Sequence, residues 1–195
     1  MTDKQNKIIT TAAAVFSKYG YKKTTIDEIV ATAGISKGLF YHYYTDKKQL
    51  YLALYEYYVD IMSSRIRDQV DLSERDLFER LKQISHIRIE IINEYPNLWG
   101  FLYSAYYEQH PDVAPLIRDK NEHLLMNSFN GSAGNIDWSK LKPGISPSQA
   151  IQAVTWIAEG FVSQLNSEKL EFDKKQYEEF DAYLELLKSG IYQST

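Results

Sequence analysis

The chain has 195 residues, enough for one large domain or a small domain joined to a bigger one, and its 44% hydrophobic and 25% charged residues are ordinary for a folded protein apart from 16 tyrosines. It has no cysteine, which excludes disulfides, thiolate chemistry and Cys-based metal sites and is compatible with a cytoplasmic location; no run of about 18 apolar residues is present, so no membrane span is expected. The net charge of −4 argues against a general polyanion binder, but residues 1–50 carry eight Lys against four Asp and Glu, so a basic head (+4) precedes an acidic body (−8).

Apolar residues recur at three and four rather than at two, which predicts an all-α protein of about nine helices. The first segment has polar interruptions and no cleavage signal, so it reads as mature protein. Ile8, Ile9, Ala12, Val15, Phe16 and Tyr19 line one face of a first helix that Gly20 stops. Thr25 and Glu28 have capping-box spacing for a short second helix ending at Gly34, Ser36 caps a third of about seven residues, and Thr45 or Asp46 caps a fourth reaching about residue 70. Ser73 is expected to open a fifth helix to about Asn93; Pro96 and Pro111 mark a sixth and a seventh, the latter with a possible kink at Pro115. After a long loop over 130–145, Ser146, Pro147 and Gln149 start an eighth helix to about Asn166, and a ninth covers 174–192.

Two short helices joined by "AGIS" have the layout of a helix-turn-helix, with Gly34 supplying a left-handed turn and Ile35 plugging the angle. On a helical wheel Phe40 and Tyr44 turn inward towards Ile26, Ile29 and Val30, leaving Lys37, Gly38, Tyr41 and His42 outward. Tyrosine hydroxyls and lysines suit phosphate oxygens, which set register. His42, Lys37 and the Leu39 methyls are left for base edges, and Gly38 permits close approach. Thr24, Thr25 and Lys47, at the starts of the second and fourth helices, are placed to clamp phosphates.

Residues 12–54, "AAAVFSKYGYKKTTIDEIVATAGISKGLFYHYYTDKKQLYLAL", resemble the N-terminal motif of the tetracycline-repressor-like (TetR-type) transcriptional regulators. The alanine-rich first helix, the glycine after it, Thr24 and Thr25, the "AGIS" turn, the aromatic tail of the third helix and Lys47 carry the likeness. The resemblance implies a three-helix DNA-binding head over 1–50, continuing through the fourth helix into a ligand-binding and dimerisation domain over 51–195. It places Thr25, Tyr41, Tyr43 and Lys47 at phosphates and Lys37, Gly38, Leu39 and His42 nearest the bases, with Thr24 and Ser36 in the same interface. Tyr44 stands where Phe is more usual and Leu39 where a small or hydroxylated residue is common.

In the body, the last two helices have broad apolar faces, and Val154, Ile157, Phe161, Phe180, Leu184 and Leu187 are expected at a four-helix homodimer interface, with Gly160 permitting close approach. Trp99, Tyr103, Tyr106 and Trp156 are candidate walls of an effector pocket; the alternative for both sets is plain core. The four histidines lack a glutamate three residues before them, and no phosphate-cradling glycine loop or nucleophile elbow occurs, so no metal, cofactor or enzyme activity is expected. The sequence reads as a dimeric, effector-responsive regulator, expected to act as a repressor on operator DNA; the alternative is a helical small-molecule binding protein without DNA binding.

Overall fold

The computed structural model describes residues 2–121, 135–164 and 174–193. Those residues form α1 (Asp3–Lys23), α2 (Ile26–Ala33), α3 (Lys37–Tyr43), α4 (Lys47–Gln69), α5 (Leu77–Glu94), α6 (Pro96–Tyr106), α7 (from 114 to the last described residue, 121), α8 (Pro147–Gln164) and α9 (Lys174–Ile191). A 3-10 turn over Trp138–Lys140 and a single bridge between Leu141 and Tyr192 complete the described elements. The all-α reading is borne out. The ends expected for the seventh helix and at Asn166 lie outside the described residues.

Local chemistry accounts for most boundaries. Gly20 has φ +72°, which breaks the helical path of α1 and leaves Tyr21–Lys23 as a separate turn. Thr25 accepts the Glu28 N–H at 3.2 Å, Ser36 accepts that of Leu39 at 3.1 Å, and Asp46 accepts that of Gln49 at 2.7 Å. Ser146 and Gln149 form the reciprocal box, at 3.2 and 2.8 Å. One cap differs from expectation. Asp71 takes both the N–H and the hydroxyl of Ser73, so that serine belongs to a turn, and Asp76 caps α5 by accepting the N–H of Phe78 at 3.0 Å. Pro115 falls in the first turn of α7, where a missing backbone N–H is tolerated.

The chain packs as two compact units. The first holds residues to Arg65 and those from Glu94 to 121; the second holds Ile66–Asn93 and the described residues from 135 onward. These packing units cut the chain differently from a head of 1–50 and a body of 51–195. In the first, α1, α4 and α6 meet through rings: Phe16 lies edge-on to Tyr51 at 4.8 Å, Tyr51 to Phe101 at 5.2 Å, and Tyr21 to Tyr51 at 5.1 Å. All four rings are buried.

The second unit has its own core of Leu77, Phe78, Ile136, Leu141, Ala150, Val154, Phe180 and Leu184. Beside it Asp76 receives Lys140 at 2.8 Å and lies 3.6 Å from Lys188. Burial opposes ionisation of Asp76, but the hydrogen bonds from Lys140 and from the Glu79 N–H, with the Lys188 charge, outweigh it and hold the carboxyl below its ordinary range. Buried Arg80 donates to the carbonyls of Leu72 and Glu74 and to Asn135, tying the segment before α5 to the residues after 134.

Candidate nucleic-acid interface

The third helix presents two faces. Phe40 and Tyr44 are buried, with ring centroids 5.9 Å apart, in the same unit as buried Ile29 and Val30. Tyr41, His42, Lys37 and Gly38 are exposed, while Leu39 and Tyr43 are half-buried. The inward and outward assignments read from the helical wheel therefore hold. Gly34, at φ +60°, turns the chain between α2 and α3, and the Ile35 N–H returns to the Val30 carbonyl at 3.0 Å. A Cβ at Gly38 would lie 3.8 Å from the Ser36 hydroxyl, an ordinary contact, so the chain's own packing does not require glycine there.

An open hollow of about 350 Å³ lies beside this face, lined by Lys22, Thr24, Thr25, Ile26, Asp27, Lys37, Tyr41 and Lys47. Three cations and a phenol beside the first turn of α2 make a surface suited to phosphate oxygens. Lys47 is held firmly: its ammonium donates to the carbonyls of Tyr21 and Thr24, each at 2.8 Å, and lies 4.4 Å from the Tyr21 ring centre. Burial lowers its pKa, opposed by the charges of Asp112 and Glu108. With two of three N–H donors used, one direction is left for a ligand.

Residues 8–54 match the family described as "Bacterial regulatory proteins, tetR family". The chain is 37% identical over 84 residues to the HTH-type transcriptional regulator YerO of Bacillus subtilis, covering 43% of this chain and 29% of YerO. It is 30% identical over 95 residues to the HTH-type transcriptional repressor KstR2 of Mycobacterium tuberculosis, covering 49% of this chain and 47% of KstR2. Residues 8–54 form a TetR-family head.

The chain spans less than half the length of these curated relatives. Likeness of fold extends further. A TetR-family regulator of Marinobacter aquaeolei superposes with a TM-score of 0.72 at 21% identity, covering 98% of this chain and 96% of that one. The structure of KstR2 gives a TM-score of 0.72 at 20% identity, covering 100% and 97%.

Within this head one expected role changes. Thr24 is 0% exposed and donates its hydroxyl to the Gly20 carbonyl at 2.8 Å, so its side chain is closed to phosphate; the kink at Gly20 turns it inward, whereas Thr25 stays exposed. Ser36 serves as a helix cap. The Tyr43 hydroxyl lies 3.3 Å from that of Thr2, the cap of α1, and its ring 4.8 Å from His42. Lys22 and Asp27 line the hollow without having been singled out from the sequence; Lys22 had a signal in the basic charge of the head, but nothing in periodicity or spacing marks Asp27.

The body residues are corrected further. Val154, Phe180 and Leu184 are buried in the second unit's own core, with Ile157, Phe161 and Leu187 packed partly buried against it, so the first three offer no surface to a second copy. The outward stripes are Gln152, Trp156 and Gly160 on α8 and Tyr183, Leu186 and Gly190 on α9, with Trp156 65% and Leu186 69% exposed. A Cβ on either glycine would meet nothing within 4 Å. The expected pocket wall is also divided. Trp99 and Tyr103 are half-buried in the first unit with rings 6.2 Å apart, Tyr106 is exposed, and Trp156 belongs to the second unit, on the face of α8 opposite its core residues.

Among the described residues, no helix is long and apolar enough to cross a membrane and no three His, Asp or Glu side chains are grouped to hold a metal. His86 lies 3.2 Å from Asp181 and its ring 5.4 Å from that of Tyr177.

Proposed function

We propose that this chain is an effector-responsive, sequence-specific DNA-binding regulator that acts as a repressor and leaves a pseudo-palindromic operator when a small molecule binds. Residues 1–50 carry the DNA contacts and 51–195 carry effector binding and dimerisation. The observation that supports this most strongly is the two-sidedness of α3, with Phe40 and Tyr44 buried while Lys37, Gly38, Tyr41 and His42 stand clear beside a hollow containing Lys22 and Lys47. In this reading Thr25, Tyr41, Tyr43 and the remaining donor of Lys47 hold phosphates, and Lys37, Leu39 and His42 meet base edges.

The homodimer is formed through the outward stripes of α8 and α9. Trp156, Tyr183 and Leu186 supply apolar area, and Gly160 and Gly190, where an added Cβ would meet nothing within 4 Å, allow helices of a second copy to approach closely. Two heads spaced by roughly 34–36 Å enter successive major grooves on one side of a duplex. An effector preferring the body when the heads are misaligned weakens operator binding by the same factor, typically about 1 to 3 kcal/mol. The half-buried Trp99 and Tyr103 rings offer an aromatic wall for such a compound, and the acidic body favours a cation or a flat ring system. KstR2, matched over 49% of this chain, is named a repressor, which favours repression.

Selection from a randomised duplex library tests the proposal. Enrichment of a two-fold repeat with half-sites about one helical turn apart supports it. Recovery of an unenriched pool by a folded dimer overturns it.

A further inference from the structure

Asp27 is the only anion among the eight residues lining the hollow beside α3, where Lys22, Lys37 and Lys47 would otherwise make the surface uniformly cationic. Its carboxylate lies 2.6 Å from the Lys37 ammonium, joining the first turn of α2 to the first turn of α3 across the connecting turn. Both side chains face solvent, at 59% exposure for Lys37 and 68% for Asp27, and an ion pair so exposed contributes little to holding the fold. A carboxylate facing a polyanion is also repelled by it, so general affinity for DNA is no reason to place one here. What it changes is discrimination.

We propose that Asp27 is a specificity-determining residue of the DNA interface, biasing the direction of the Lys37 ammonium and rejecting duplex positions that offer its own carboxylate no amino-group donor. This rests on the DNA-binding reading above. An unpaired lysine on a flexible stem can swing to any phosphate and adds affinity without selectivity. Paired to Asp27, the ammonium keeps two donors in a restricted direction, and the carboxylate beside it keeps lone pairs for an acceptor role. In the major groove that donor–acceptor couple complements a base edge presenting an acceptor beside an exocyclic amino group, the N4 of cytosine or the N6 of adenine. Where a non-cognate base places a carbonyl oxygen opposite Asp27, two acceptors face each other and the complex is penalised.

The test uses the full chain with Asp27→Asn, which keeps the shape and removes the charge. Wild type and variant are each put through duplex selection, then titrated against the wild-type-selected duplex and a scrambled one of equal composition. The expected result is a rise of about 3- to 10-fold in affinity for the scrambled duplex, a fall of about 10-fold or more in the selected-to-scrambled ratio, and relaxed preference at one base pair in each half-site. Asp27→Ser, which keeps a polar oxygen in the first turn of α2 without the charge, should behave likewise and serves if the asparagine variant melts early. An unchanged ratio and unchanged base preferences, or equal weakening on both duplexes, overturns the inference while leaving DNA binding intact. Failure of wild type to prefer any sequence overturns both.

Discussion

The Glu108 carboxylate accepts the backbone N–H of Tyr21 at 3.0 Å, across 87 residues of chain but within one compact unit. Its other oxygen accepts the N–H groups of Gln109 and His110, at 2.9 and 2.8 Å, and the His110 ring lies edge-on to Tyr21 at 4.9 Å. The carbonyl of Tyr21 in turn accepts Lys47, so the residues following α6 help set the position of a cation at the candidate DNA surface.

Glu108→Ala leaves the part-buried Tyr21 N–H without this acceptor and is expected to cost about 1–3 kcal/mol in denaturant unfolding. It should also weaken binding to DNA of any sequence. Loss of stability without any change in DNA affinity would separate Glu108 from the positioning of Lys47.

Lys47→Ala is expected to act twice. It removes donors to two carbonyls, lowering stability by roughly 1–3 kcal/mol, and it removes a phosphate partner, flattening the slope of affinity against salt by about one. His42→Ala should instead alter base preference with little effect on that slope. Equal behaviour of the two variants across sequences would contradict their assigned roles.

The last two helices separate core from interface. Leu184→Ala or Val154→Ala should destabilise the second unit, Leu184→Ala by about 2–5 kcal/mol, whereas Trp156→Glu with Leu186→Glu should leave helicity intact and give a monomer in sedimentation. A double variant that remains dimeric would move the interface elsewhere.

Which residues carry which role was only partly legible from sequence, and the division has a physical cause. The α2–α3 turn is written in signals a few residues apart, Thr25, Gly34 and Ser36, each with a local hydrogen bond or dihedral that needs no distant partner. Ser73 and Asp76 are equally good cap types, and only the capture of Ser73 by Asp71 decides between them. Thr24 and Thr25 are neighbours with opposite exposures because Gly20 bends the chain ahead of them. Periodicity marks the apolar face of α8, but Trp156 on the other face is apolar too, and no spacing rule says which of the two meets α5 and α9.

Acid should act on the second unit through Asp76. Its folded pKa lies below the unfolded value, so the stability it contributes is fully present above about pH 4 and is lost as pH falls through the folded value. Asp76→Asn should cost about 1–2 kcal/mol near pH 7, with the gap to wild type closing only below pH 4. A gap constant from pH 7 to pH 2 would show that the carboxylate charge contributes nothing.

Chemical footprinting of a selected duplex asks most directly whether α3 enters a major groove. Alkylation reports guanine N7 on the major-groove side and adenine N3 on the minor-groove side. With α3 docked through Lys37, Leu39 and His42, protection should fall on guanine N7 in two patches about one helical turn apart, leaving adenine N3 reactive between them. Protection confined to adenine N3, or none at protein concentrations that saturate the duplex, would contradict a major-groove role for this helix.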